Sequence, residues 1–310
     1  MHDELDQALP NAKRTYKDTV FKDLFGSNER KQYALSLYNA LNGSRYDNPS
    51  DIEINTLEDV IYLGVRNDVS FLIHSEMVLW EQQSTYNPNM PLRGFMYFAR
   101  LYMRWLKRHP QINIYGSKTV ILPCPRFVVF YVGENRQFEA ETLLLSSAFE
   151  HNEGAVGREP ALEVRATVYN VNEGHNTQLS GACEALAGYA HFIALAREER
   201  DNGAEMSEAV DRAVLRCIDE GVLDDYLSER RAEVVDMFLT EYDEDRVHEL
   251  FKEEGREEVL DEMHRRAADA VRAGMLELHQ AAVAFGLDEE RILELVQGPV
   301  PAGEKRDNNA

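Results

Sequence analysis

The sequence lacks the features that mark membrane-spanning, secreted and zinc-binding proteins. None of its apolar runs approaches the roughly 18 residues that a membrane span needs. Its acidic start, Met-His-Asp-Glu-Leu-Asp, is unlike a secretory signal. Cys124, Cys183 and Cys217 have no zinc spacing and form no even-numbered disulfide framework, and the nine histidines form no cluster with metal-ligand spacing. We therefore expect a cytoplasmic protein with no membrane partner.

Acidic side chains are missing from one long segment, Gln82 to Gly133, which contains seven lysines or arginines. The whole chain carries a formal net charge of −22, but that charge is segregated. Residues 1–135 hold 15 basic and 15 acidic side chains, whereas residues 136–310 hold 18 and 40. The overall acidity therefore does not exclude a polyanionic partner for the first half of the chain.

Residues 67–84 predict a β-hairpin with strands at 68–73 and 76–83, separated by His74 and Ser75. A two-residue loop there, or a four-residue loop from 73 to 76, places Asp68 opposite Glu81, whereas a three-residue loop would place it opposite Gln82. Opposed residues in an antiparallel pair share a face, and Gln83 lies on the same face two residues further on. The other face is apolar: Val69, Phe71, Ile73, Val78 and Trp80.

That register would hold two carboxylates and an amide side by side on rigid backbone. Mg²⁺ prefers hard oxygen ligands and is often bound by one or two carboxylates together with water and phosphate oxygens. Asp68 and Glu81 are therefore candidate ligands of Mg²⁺ or Mn²⁺. Structural roles are the alternative, with Asp68 as a turn former after Asn67 and Glu81 as a solvated strand residue.

The segment from Leu92 to Arg108 predicts a helix that ends before Pro110. Its spacing gives one continuous stripe along the helix surface and a second face directed toward a core. The stripe consists of Arg93, Tyr97, Arg100 and Arg104, and the core-facing set of Leu92, Phe95, Tyr102 and Leu106. The stripe is a candidate surface for phosphate contacts, which give affinity without sequence information.

The rest of the chain alternates between short predicted elements. The first helices are expected at 15–25 and 29–41, a first strand at 57–63, and further strands at 127–132 and 162–171. No strand is expected beyond Asn176. We predict a core domain at 13–200, an acidic helical region at 201–298 and a disordered tail at 299–310.

Two longer strings carry a resemblance to a known family. Asp68, followed after twelve residues by Glu81-Gln-Gln83, is similar to the Asp…Glu-x-Lys signature of the PD-(D/E)XK nuclease superfamily, in a Glu-x-Gln variant. The string Glu81-Gln-Gln-Ser-Thr-Tyr-Asn-Pro-Asn-Met-Pro-Leu-Arg-Gly94, with Tyr97-Phe-Ala-Arg-Leu-Tyr102, resembles its recombination-promoting nuclease (Rpn) branch. Arg230-Arg-Ala-Glu-Val-Val-Asp-Met-Phe-Leu-Thr-Glu-Tyr-Asp243 and Glu254-Gly-Arg-Glu-Glu258 also resemble that branch.

The resemblance implies an α/β, restriction-endonuclease-like mixed sheet flanked by helices, with an α-helical C-terminal region. It also implies a Mg²⁺-dependent hydrolase that cuts DNA in recombination or transposase-like processing. In that reading Asp68 and Glu81 hold the metal, and Asp18 matches a position where the superfamily often adds an acid. Gln83 positions the attacking water, and Arg93 binds the scissile phosphate.

Gln83 is where the sequence departs from the pattern, because a neutral amide adds no positive charge. One alternative is therefore a binding or regulatory protein that keeps the fold and no longer cuts. A second alternative assigns the function to the C-terminal helices, as a self-association module that would make the protein a homo-oligomer.

Overall fold

The computed structural model describes residues 19–56, 67–150, 159–285 and 288–297. Within these residues six strands form one mixed sheet in the order β1-β2-β3-β4-β6-β5. The strands are β1 (Ile52–Ile54), β2 (Val69–Ile73), β3 (Glu76–Gln83), β4 (Cys124–Tyr131), β5 (Ala140–Leu144) and β6 (Arg165–Asn170). β3, β4 and β6 run parallel, whereas β1, β2 and β5 are antiparallel to their neighbours.

Helices account for most of the remaining regular structure. They are α1 (Val20–Gly26), α2 (Lys31–Asn42), α3 (Met90–Arg108), α4 (Thr177–Ala182), α5 (Glu184–Asp201), α6 (Met206–Asp219), α7 (Asp224–Arg272), α8 (Leu278–Phe285) and α9 (Glu289–Gln297). Among the described residues beyond Asn176 there is no strand, as the sequence predicted. None of the helices in this described part combines the length and apolar character needed to cross a bilayer.

The hairpin is confirmed in its predicted register. Ile73 pairs with Glu76 and Val69 with Trp80, so the loop has two residues. His74 takes φ +50°, which suits the first central position of a two-residue hairpin turn. The three-residue loop, which would have shifted Asp68 onto Gln82, is excluded for this chain.

Apolar layers cover both faces of the sheet. On one face α1, α2 and α5 form one apolar cluster with Val69, Phe71, Val78 and Trp80, and α6 packs on α5. On the other face α3 packs against β3 and β4, and its buried residues are Met90, Pro91, Gly94, Tyr97, Phe98 and Leu101. α3 connects two parallel neighbouring strands, and its Arg93 contacts Glu81, so it crosses the sheet on the face that carries Asp68 and Glu81.

Several expectations from the sequence need correction. Leu92, expected in the core, is 45% exposed, because α3 turns Gly94 and Phe98 toward the sheet instead. The two edge strands β1 and β5 were not expected, since each is short and pairs on one side only. The strand expected at 57–63 lies outside the described residues.

The chain divides into two compact units, Met1–Tyr242 and Asp243–Ala310. The boundary expected after residue 200 therefore lies inside the first unit. The reason is that α6 and the first turns of α7 bury apolar side chains in the main core, among them Val214, Cys217, Tyr226 and Val234. The second unit has a small core of its own: Ala267, Ala268, Ala281, Ala282 and Ile292.

Candidate metal and phosphate site

The hairpin brings Asp68 and Glu81 together where β2 begins and β3 nears its end. The pairing of Val69 with Trp80 places Asp68 opposite Glu81 one step further along the ladder. The Asp68 N–H donates to Glu81 Oε1 at 3.0 Å, and the Gln82 N–H donates to Asp68 Oδ2 at 2.7 Å. Each carboxylate is thus fixed by a backbone donor of the facing strand.

Glu81 is 2% exposed, which is rare for a carboxylate. Burial raises the pKa of Glu81 well above its usual value, and the Asp68 carboxylate raises it further. Arg93 and the Asp68 N–H act in the opposite direction. The site therefore holds two carboxyl groups close together, and a guanidinium contacts one of them.

That guanidinium comes from the first turn of α3. Arg93 Nη2 donates to Glu81 Oε2 at 2.9 Å. The Tyr97 hydroxyl, one helical turn further on, accepts from Arg93 Nη2 at 2.8 Å and from Nε at 3.1 Å. α3 approaches the sheet closely here, since a Cβ added at Gly94 would lie 2.4 Å from the Phe127 ring.

Gln83 lies on the same face as Glu81 and is 7% exposed. Its amide nitrogen donates to Met90 Sδ at 2.7 Å, and its oxygen accepts from the Asn87 N–H at 3.4 Å. Thioether sulfur is a weak acceptor, so the contact with Met90 is one that an amide gives up at low cost. In this arrangement Gln83 holds the loop that leads into α3.

The predicted arginine stripe has different partners along its length. Arg104 Nη1 donates to the carbonyl oxygens of Asn55 and Thr56, both at 3.1 Å, and so fixes the chain after β1. Arg100 is half-buried. The more exposed basic side chains of the acid-free segment lie further along the chain: Lys107, Arg108, Lys118 and Arg126.

The donor set suits a hard divalent cation. Two carboxylates on rigid backbone are ligands that Mg²⁺ uses when water and phosphate oxygens complete its shell. In the described part of the chain, no three His, Cys, Asp or Glu side chains are grouped closely enough to hold a metal among themselves. Asp18, the predicted third acid, lies outside the described residues.

Sequence reasoning placed Tyr97 in the arginine stripe without predicting its contact with Arg93, and it assigned no role to Gly94. The available signal for Tyr97 was its position four residues after Arg93, which places both side chains on one side of the helix. Gly94 gave the weaker signal of a glycine inside a helical pattern. Comparison of the chain with protein-family models, with curated proteins and with solved structures finds no significant match.

Proposed function

We propose that this protein is a divalent-metal-dependent DNA endonuclease with a restriction-endonuclease-like fold. The observation that carries the proposal is the pairing of Asp68 with Glu81 on the α3 side of the sheet. Arg93 contacts the Glu81 carboxylate at the same place. The mixed sheet with helices on both faces supports the fold, and the sequence resemblance to the Rpn branch supports a role in recombination or transposase-like DNA processing. A cytoplasmic location belongs to the same proposal.

Asp68 and Glu81 would hold Mg²⁺ or Mn²⁺ by their carboxylate oxygens. A bound cation of this kind polarises a phosphoryl oxygen and lowers the pKa of its water. Gln83, once free of Met90, donates a hydrogen bond that orients the attacking water. The Arg93 guanidinium offers paired donors to a phosphate, which is the geometry that phosphate recognition favours.

Duplex DNA would lie along the acid-free segment. Its exposed basic side chains at Lys107, Arg108 and Lys118 supply backbone contacts that fix the position of a duplex without reading its sequence. Arg100 and Arg104 were also predicted as phosphate contacts. For Arg104 that role would require exchange of its two carbonyl partners, Asn55 and Thr56.

The direct test is cleavage of supercoiled plasmid with Mg²⁺. Wild-type protein should nick the plasmid, and Asp68→Asn should lower the rate by about 100-fold or more, because the variant loses a ligand that stabilises transition-state charge. Glu76→Gln is the matched control, since Glu76 lies on the same strand but on the opposite face. Equal trace activity in wild type and Asp68→Asn would contradict the proposal.

One observation favours the non-cutting alternative. Gln83 adds no positive charge, and its amide is directed into contacts with Met90 and Asn87. A nuclease-like binding or regulatory protein would keep the hairpin and the basic segment and would bind DNA without cleaving it. Calorimetry with Mn²⁺ separates the two functions, because a retained metal site gives saturable heat that Glu81→Ala abolishes.

A further inference from the structure

Arg93 forms a short ion pair with Glu81. The Nη2 atom lies 2.9 Å from Glu81 Oε2, while Glu81 Oε1 already accepts the Asp68 N–H. Both oxygens of this buried carboxylate therefore have a donor. If Glu81 is a metal ligand, as the proposed function requires, one of these donors has to make room.

We propose that Arg93 and a divalent cation are alternative partners of Glu81 Oε2, so that cation binding frees the Arg93 guanidinium for a substrate phosphate. The inference rests on the proposed function and adds a positioning role for Arg93 and Tyr97. The backbone donor to Oε1 is fixed by the hairpin, whereas the contact to Oε2 comes from a flexible side chain. Arg93 is therefore the partner that can move.

Electrostatics makes the two partners compete. A guanidinium and a divalent cation at one buried carboxylate repel each other strongly, because the low local dielectric screens little of the interaction. Glu81 is 2% exposed, so water offers little relief there. The Arg93 side chain is 41% exposed, so the guanidinium can leave the oxygen and remain hydrated.

Tyr97 keeps the freed guanidinium close to the site. Its hydroxyl accepts from both Nε and Nη2 of Arg93, and its ring lies 5.7 Å from the guanidinium carbon. Tyr97 itself is 2% exposed and therefore held by packing. As Nη2 leaves Glu81 for solvent, its own contact with the hydroxyl breaks, while the Nε contact keeps the side chain beside the site. Cation binding and phosphate binding become coupled through one side chain.

The test is the affinity of the full-length protein for Mn²⁺ alone, measured by calorimetry. Arg93→Gln removes the competing charge and should bind Mn²⁺ at least about tenfold more tightly than wild type. Arg93→Lys keeps the charge and should stay near the wild-type affinity. Arg126→Gln is the matched control, because Arg126 pairs with Glu76 on the same strand at 2.7 Å but on the other face. It should leave Mn²⁺ binding unchanged.

Tyr97→Phe provides a second route if Arg93→Gln does not fold. It keeps the guanidinium but removes the hydroxyl that holds Nη2 beside Glu81, so Mn²⁺ should bind at least about twofold more tightly as Arg93 becomes easier to displace. Equal or weaker Mn²⁺ affinity in Arg93→Gln, or in Tyr97→Phe when that variant is the one measured, would overturn the inference.

The coupling also predicts a result with DNA. Ca²⁺ should strengthen binding of a short duplex to wild-type protein, measured by fluorescence anisotropy, and Arg93→Gln should lose most of that gain. A gain of the same size in both proteins would show that Arg93 does not link the two ligands. Absence of saturable Mn²⁺ heat from wild type and every variant would instead overturn the proposed metal site. Saturable heat of equal affinity in all of them would overturn the Arg93 inference alone.

Discussion

Trp80 and Glu81 are neighbours in β3, both almost fully buried, and they face opposite sides of the sheet. Trp80 is 1% exposed and packs edge-on against Phe71, Phe25 and Phe130. Glu81 is 2% exposed and faces Asp68 and Arg93. The first face is an ordinary apolar core. The second places charge inside an apolar layer, where burial disfavours it.

The comparison shows that one face of the sheet stabilises the fold, whereas the other carries the candidate site. The apolar face gains free energy from burial, and every contact there favours the folded state. On the α3 face the chain keeps two carboxylates close together, although their repulsion opposes folding. Charge retained against its own stability is typical of a site that binds a cation or performs chemistry.

The largest expected effect comes from breaking the apolar face. Trp80→Ala should lower the free energy of unfolding by about 3–5 kcal/mol, because the removed ring leaves a cavity among aromatic neighbours. Urea unfolding followed by circular dichroism measures this. Trp105→Ala is the control, since Trp105 is half-buried and stacks on His109 near the end of α3. Equal costs for the two variants would contradict the contrast between a packed core position and a partly exposed one.

The next effect tests how α3 is seated over the charged face. Gly94→Ala places a Cβ 2.4 Å from the buried Phe127 ring, so the ring or the helix must shift and stability should fall by about 1–3 kcal/mol. Gly181→Ala in α4 is the matched control, because nothing lies within 4 Å of its added Cβ. That variant should be neutral or gain up to about 1 kcal/mol from helix propensity. Thermal unfolding measures the stability of both variants. An unchanged stability in Gly94→Ala would mean that the Phe127 ring moves aside freely.

The sequence was sufficient to predict the hairpin, whereas the pairing of the two carboxylates depended on the length of its loop. Strand side chains alternate strictly, so the loop length alone decided whether Asp68 met Glu81 or Gln82. The apolar set on the other face was predictable for the same reason. The C-terminal helices and the absence of strands after Asn176 followed from periodicity in the described segments.

The partners of Arg93 were not predictable, because they depend on how α3 is rotated over the sheet. That rotation is set by contacts such as Gly94 with Phe127, which lie far apart in the sequence. The stripe was predicted as an outward-facing surface, yet Tyr97 is buried and Arg104 binds the backbone after β1. The contribution of α6 to the main core is also a long-range effect, which the local sequence pattern does not reveal.

A smaller effect, a gain in stability, is expected when one of the two carboxylates on the α3 face of the sheet loses its charge. Asp68→Asn keeps an oxygen for the Gln82 N–H and removes the charge that faces Glu81. The variant should gain on the order of 1 kcal/mol at pH 8, as is common when a destabilising active-site charge is removed. A variant that is more stable and yet does not cleave DNA would show that misfolding does not explain its lost activity.

The pH dependence of that gain has a definite sign. The pKa of Glu81 is raised in the folded protein, mainly by burial, so the folded state binds the proton more tightly than the unfolded state. This contribution to stability is fully present below the usual glutamate pKa and is lost as the pH rises through the raised value. Asp68→Asn lowers the Glu81 pKa, so unfolding free energies measured from pH 5 to 8 should decline less steeply than in wild type. If the unfolding free energy of Asp68→Asn declined with pH as steeply as that of wild type, Asp68 would not be a cause of the raised Glu81 pKa.

Asp211→Asn is the control with the opposite sign. Hydrogen bonding to Arg231 lowers the pKa of Asp211, so its ionised form favours folding. Stability from this group is present above the usual aspartate pKa and is lost on acidification. The Asn variant should therefore be slightly less stable at pH 8, by under about 1 kcal/mol for a pair this exposed.

The smallest effect sharpens the comparison between the two glutamates of β3. Glu76 accepts from Arg126 Nε at 2.7 Å and from the Tyr38 hydroxyl at 2.8 Å, so it also has a donor on each oxygen. The Arg126 side chain is 55% exposed, however, so solvent screens this pair. Arg126→Gln should cost no more than about 0.5–1 kcal/mol, and less at high salt. Urea unfolding at low and high salt checks both points. A loss of unfolding free energy above about 2 kcal/mol would mean that an arginine on either face of β3 stabilises the sheet. The pair at Glu76 could then no longer be distinguished, as structural, from a displaceable pair at Glu81.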